Sequence, residues 1–235
     1  MRTPSFAMAE LSAVDLRSMP IFEGFDEAKL DDLGASMTVR THPANQTIML
    51  QNDWGNGVYF VLEGWVKIRT FNLEGKEVTL NILGPGEIFG EMAALDENPR
   101  STDVIALTET QVAILEAKKF IGFLESDPLV GVRLAQLMSR RLRQINRRLQ
   151  LREANSVARV ADILLFLAEF RGRVSRAGVE VPNLPHRELS SLSGLARETV
   201  TRVLRKLEQK DLIVRDRARD ILCIPSLDGL EDLIV

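Results

Sequence analysis

The sequence predicts an α+β chain: a β-roll of jelly-roll-like type, one long helix, and a compact helical domain that ends in a β-hairpin. Three observations lead to this reading. Short apolar runs broken by Gly, Pro, Asn and Asp recur from residue 38 to 117. After Asp127-Pro128 the apolar spacing changes to steps of three and four. The last third holds two short helical patterns separated by Gly194-Leu195. With 235 residues, 45% of them hydrophobic and 27% charged, the chain has material for two ordinary domains.

In chain order, residues 10–37 read as short helices, with Ala28, Leu30, Leu33 and Met37 apolar among polar neighbours. The candidate strands are Thr47–Leu50, Gly57–Leu62, Trp65–Thr70, Val78–Leu83, Val104–Leu107 and Gln111–Leu115. Strands at this spacing, with turn residues between them, form antiparallel barrels or sandwiches. Glu63-Gly64 reads as a tight turn between two of them, and LGPGEIFGEM as a second glycine-punctuated corner. Leu134, Met138, Leu142, Ile145 and Leu149 then mark an amphipathic helix of roughly 25 residues. So narrow a stripe on so long a helix is a coiled-coil seam and predicts a second copy as partner. Ser156 is placed to cap a further helix, Val157–Phe170, and Arg171–Pro185 reads as a polar loop. Helices Arg187–Ser193 and Ala196–Gln209 follow, then a hairpin built from Ile213-Val214 and Ile221–Ile224.

Charge is unevenly distributed. The chain has a net charge of −3, but residues 133–224 carry 20 Lys and Arg against 10 Asp and Glu, and the remainder carries 10 against 23. A basic segment in an acidic protein points that end toward a polyanion. HRELSSLSGLARETVTRVLRKLEQKDLIV gives the reason, since it reads as a helix-turn-helix. Leu189, Leu192, Leu195, Val200, Val203 and Leu204 can form the core between its helices, and Gly194 the turn. Arg197, Glu198, Thr201 and Arg202 then occupy the outer face at the front of the second helix, where Arg reads guanine and Glu accepts from cytosine. Arg187, Ala196, Thr199 and Lys206 complete the expected DNA-contacting set.

In the β-region, FGEMAALDENPRST places a Gly–Glu pair about nine residues before Arg–Ser. An Arg, a hydroxyl and backbone N–H groups can hold a phosphate, and a carboxylate can accept from a ribose hydroxyl.

On these motifs the chain resembles the cyclic-AMP receptor protein / fumarate-nitrate regulator family over roughly residues 20–225. The resemblance implies a cyclic-nucleotide-binding β-roll (double-stranded β-helix type) over 20–126 and a dimerisation helix and hinge over 127–154. A winged helix-turn-helix over 155–235 and an N-terminal extension over 1–19 complete the expected division. Arg197, Glu198 and Arg202 match the family's base-reading positions and imply a TGTGA half-site arranged as a palindrome. Gly90 and Glu91 match the ribose side of the phosphate-binding cassette, Arg100 and Ser101 the cyclic phosphate, with Met92 and Thr102 beside them. Where the family reads adenine with a Thr–Ser pair from the long helix, this chain has Ile145 and Asn146, with Arg141 nearby. Ile145 cannot hydrogen-bond, while Asn146 has both a donor and an acceptor. Cyclic AMP remains the first expected effector, with cyclic GMP or cyclic di-GMP, or DNA binding without any small-molecule ligand, as alternatives. RNA polymerase is a further implied partner.

Other classes fit less well. A barrel metalloenzyme of cupin type needs two or three histidines, and residues 38–117 contain only His42. Cys223 is the one cysteine, too few for an iron–sulfur cluster, and two histidines make a poor haem site. No Walker loop or activated nucleophile is present, so no catalytic or metal-binding residue is expected. No apolar run is long enough for a membrane span and no signal-peptide pattern is present, which reads as cytoplasmic.

Overall fold

The computed structural model describes residues 16–17 and 19–234, with the side chains of Phe170 and Arg171 outside the described set. Most of the N-terminal extension therefore lies outside the described residues. The chain divides into two compact units, residues 1–75 with 80–140, and residues 141–235 with 76–79.

Among the described residues up to 140 there are eight strands: β1 Thr38–His42, β2 Thr47–Met49, β3 Gly57–Glu63, β4 Val66–Phe71, β5 Glu77–Leu83, β6 Ile88–Phe89, β7 Asp103–Ala106 and β8 Thr110–Glu116. They form two four-stranded sheets, ordered β1-β8-β3-β6 and β2-β7-β4-β5. His42 ends β1 and pairs with Thr110. The strand period of two explains how the core is split. Val58 and Phe60 of β3, with Ala113 and Leu115 of β8, face a cluster that also holds Phe22, Leu30, Phe120 and Val130. Tyr59 and Val61, with Val112 and Ile114, face the other way, toward Met49, Val66, Phe89 and Val104. One sheet is thus buried on both faces, against strands on one side and helices on the other. Gly64 makes the β3–β4 turn at φ 79°, and a Cβ there would lie 2.2 Å from the Glu109 carbonyl oxygen, so only glycine fits.

Of the predicted N-terminal helices, a 3₁₀ turn at Pro20–Phe22 and the helix Glu27–Ala35 are described. The helix Ala117–Ser126 leads to the long helix Pro128–Gln150. Asp127 starts the latter by accepting the Leu129 N–H. The apolar stripe expected to form one continuous seam divides in two. Leu134 is buried in the helical face of the β-roll core and Met138 packs against the same cluster. Leu142, Ile145 and Leu149 are exposed. The β-roll lies under the first turns of the helix and takes up the same stripe that a partner helix would use.

The second unit contains helix Ser156–Arg171, strands β9 Arg173–Ser175 and β10 Gly178–Pro182, helices His186–Ser193 and Arg197–Gln209, strands β11 Val214–Asp216 and β12 Ile221–Ile224, and a last turn Asp228–Glu231. Two expectations are corrected here. Asn155, not Ser156, caps the first helix, and its side chain accepts the N–H groups of Val157 and Ala158. The segment expected as a polar loop is a hairpin, so the wing sheet has four strands in the order β11-β12-β10-β9. The hairpin strands are short and Val174 is 84% exposed, so no buried alternation marks them; β9 pairs with β10, and β10 with the distant β12. Among the described residues no helix is long and apolar enough to cross a membrane.

Candidate anion pocket and nucleic-acid interface

The corner after β6 brings Gly90, Glu91 and Arg100 together. Gly90 has φ 78° and precedes the short helix Glu91–Asp96. The Arg100 guanidinium donates from Nη1 to the Gly90 carbonyl at 2.7 Å and from Nη2 to the Gly57 carbonyl at 2.6 Å. A Cβ on Gly90 would stand 2.8 Å from Nη1, and one on Gly55 3.0 Å from Nη2. The backbone therefore approaches the arginine more closely than a side chain allows. Arg100 is 4% exposed and Glu91 3%. The guanidinium also lies 5.8 Å from the Tyr59 ring centroid, and that ring stacks on Phe89 at 4.9 Å. Burial pulls the Arg100 pKa down from its ordinary value, opposed by Tyr59 and Glu91.

A buried cation is costly unless an anion or a full set of hydrogen bonds meets it. Two carbonyl oxygens use only part of the five-donor fork. A phosphate can meet such a fork with both charge and acceptor geometry. Around the pocket, Ser101 is exposed and its hydroxyl lies 3.9 Å from the Met92 sulfur. Thr102 is half-buried. The loop before β3 is joined to the arginine through its backbone, with Asn52 N–H donating to Arg100 O and Arg100 N–H to Asp53 O. The sequence reading passed over Gly55, Gly57 and Tyr59, although the glycines of GNGVYF were visible signals of a close backbone approach. Arg141, Ile145 and Asn146, the expected base-side residues, belong to the other unit; Ile145 and Asn146 are exposed and Arg141 is half-buried.

The helix-turn-helix forms over the expected segment, with Leu195 half-buried instead of in its core. Leu189, Leu192, Val200, Val203, Leu204 and Leu207 are buried between the helices. Gly194 ends the first helix in the left-handed region, and the Arg159 guanidinium donates to the Ser193 carbonyl beside it. Arg197, Glu198, Arg202 and Lys206 are exposed on the second helix, whose N-cap is Ala196. Arg202 donates to the Thr199 hydroxyl at 3.2 Å. Arg187 is exposed and ion-paired with the buried Glu188.

Thr201, expected on the outer face, is half-buried and committed internally. Its hydroxyl donates to the Arg197 carbonyl at 3.0 Å and lies 2.8 Å from His186 Nδ1. With its one proton given away, it can only accept from Nδ1–H, which fixes the histidine tautomer. Burial, then the nearby Arg215 and Arg197, pull the His186 pKa below its ordinary value. His186 is therefore neutral near pH 7, and the stability this gives is complete above the unfolded value of ~6.5. It is lost as pH falls through the depressed folded value. In scanning calorimetry, His186→Asn is expected to flatten the loss of stability between pH 7.5 and 5.5. An unchanged slope would mean that the histidine takes no part in it.

Comparison with known proteins finds two matching domain families. Residues 39–127 match the cyclic nucleotide-binding domain family, and residues 158–233 the Crp-like helix-turn-helix domain family. A cyclic AMP receptor protein from Thermus thermophilus is 35% identical over 202 residues, covering 84% of this chain and 89% of the relative. The solved structure of FixK2 from Bradyrhizobium japonicum superposes with TM-score 0.72 at 22% identity, covering 85% of this chain and 98% of that one. The c-di-GMP responsive global regulator CLP from Xanthomonas campestris superposes with TM-score 0.67 at 20% identity, covering 86% and 100%. At these two identities the likeness is one of fold.

Proposed function

Since the chain belongs to the cyclic-AMP receptor protein / fumarate-nitrate regulator family of transcription regulators, we propose that cyclic AMP controls its binding, as a homodimer, to a TGTGA-type palindrome. The observation that carries the effector reading is the buried Arg100, cradled by Gly90 and Gly57 with Glu91 beside it. In this reading Arg100 and Ser101 hold the cyclic phosphate, Glu91 and the Gly90 backbone hold the ribose, and Met92 and Thr102 flank them. Asn146 contacts the base, with Ile145 and Arg141 next to it. The exposed Leu142, Ile145 and Leu149 supply the dimer seam. Binding shifts the pair of recognition helices into successive major grooves, where Arg197, Glu198 and Arg202 read bases. Arg187, Ala196, Thr199 and Lys206 set the position on the backbone, while Thr201 stays bonded to Arg197 and His186 within the fold. RNA polymerase is the partner the family resemblance implies, and the cytoplasm the compartment.

One residue favours a second reading. Ile145 stands where a hydroxyl reads adenine in the family, so cyclic GMP or cyclic di-GMP is the alternative effector. Calorimetric titration with cyclic AMP, cyclic GMP and cyclic di-GMP separates these. Saturable binding of cyclic AMP is the expected result. Binding of the dinucleotide alone would move the effector site toward the arginine-rich helix, and silence from all three would end the effector reading.

A further inference from the structure

The long helix and the first helix of the DNA-reading unit are joined by only a 3₁₀ turn, Leu151–Glu153, and two residues. Side chains bridge that joint at two points. Arg147 Nε pairs with Asp162 Oδ1. The Arg148 guanidinium lies 5.2 Å from the Phe166 ring centroid. Asp162 and Phe166 are one turn apart on the same face of helix Ser156–Arg171, and Arg147 and Arg148 are consecutive on the other helix. Asp162 is 6% exposed. Burial pushes its carboxyl up, while Arg147 and Arg148 pull it back down. The same burial lowers Arg148, opposed by Asp162. Asp162 therefore serves as counter-charge to both arginines, and removing it takes that charge from each. A single attachment would still let one helix swivel on the other, whereas two, a turn apart, resist it. Arg147 directly follows Asn146 on the long helix.

We propose that Asp162, held by Arg147 and seconded by the Arg148–Phe166 contact, is a positioning residue that locks the end of the long helix to the DNA-reading unit. Through this lock the state of the effector site reaches the recognition helix. The lock deepens the effector reading above and depends on it. Energetic coupling between two sites needs a connection with a defined geometry, and typical coupling factors are ~5–150-fold.

The test is DNA affinity by fluorescence anisotropy with a TGTGA palindrome, with and without cyclic AMP, alongside calorimetric cyclic AMP binding. Wild type, Asp162→Asn and Arg147→Gln are compared. Arg147 is half-exposed, so its variant breaks the pair from the solvent side and tolerates folding. Both variants are expected to bind cyclic AMP within about twofold of wild type and to lose most of the effector-dependent gain in DNA affinity, keeping about twofold or less of it. Asp162→Glu, which keeps the charge, is expected to restore part of it. A wild-type gain that both variants keep in full overturns the lock alone. Absence of any gain in wild type overturns the effector reading and the lock together.

Discussion

Arg100→Leu is expected to abolish measurable cyclic AMP binding, a loss of about 100-fold or more. Each hydrogen bond to a charged partner is worth ~1.5–3 kcal/mol, and a bidentate contact to a phosphate makes two. The residue is 4% exposed, so no solvent-borne cation can replace it. The substitution also frees the Gly90 and Gly57 carbonyls, at ~1–3 kcal/mol for each buried acceptor left unmade. Relief of the cost of burying the guanidinium offsets part of that. A melting curve therefore accompanies the titration, and Arg100→Lys serves as the charged control. Lysine lacks the fork and is expected to recover only part of the affinity. Binding within a few-fold of wild type in a folded Arg100→Leu protein would make the arginine a structural strut for the β-corner.

The second large effect is at the DNA surface. Arg197→Ala and Arg202→Ala are each expected to cost ~1–3 kcal/mol in operator affinity and to relax specificity at one base pair. Both side chains are exposed, and surface changes of this kind alter folding stability by only about 0.5 kcal/mol. The loss should therefore appear in binding and not in melting. A panel of operators substituted one position at a time provides the readout. Lys206→Ala is the contrast: loss of a phosphate contact weakens all sequences alike and lowers the salt slope by about 1. If the arginine variants lost affinity equally for every operator, they would be backbone contacts and the bases would be read by other residues.

Much of this molecule was legible in its sequence, and most of the exceptions share one physical cause, contacts between residues far apart in the chain. Local periodicity found the β-region, the long helix and both helices of the helix-turn-helix, because each buries one face in a regular pattern. It passed over β9 and β10, since strands of three and five residues are too short to show a regular alternation, and β10 is held by pairing to β12 across the sequence, with β9 paired to β10. The long helix shows the same limit. One stripe of Leu, Met and Ile serves two purposes, and nothing in its spacing marks where the β-roll stops covering it after Met138. The capping error at Ser156 was a choice between adjacent residues, each able to cap, that only backbone geometry decides. At the pocket, Gly90, Glu91 and Arg100 could be read as a motif. The second carbonyl, at Gly57, and the Tyr59 ring come from a strand 43 residues away from Arg100 in the chain. Thr201 was read as outward from its helical position, and its bond to His186 depends on how the two helices cross.

The most direct test is the binding isotherm of a fluorescein-labelled duplex with two TGTGA half-sites, measured by anisotropy with and without saturating cyclic AMP. Cyclic AMP is expected to tighten binding at least ~5-fold in wild type and to do nothing in Arg100→Leu, while an unrelated duplex binds weakly in both conditions. Superimposable wild-type isotherms with and without cyclic AMP would contradict the account.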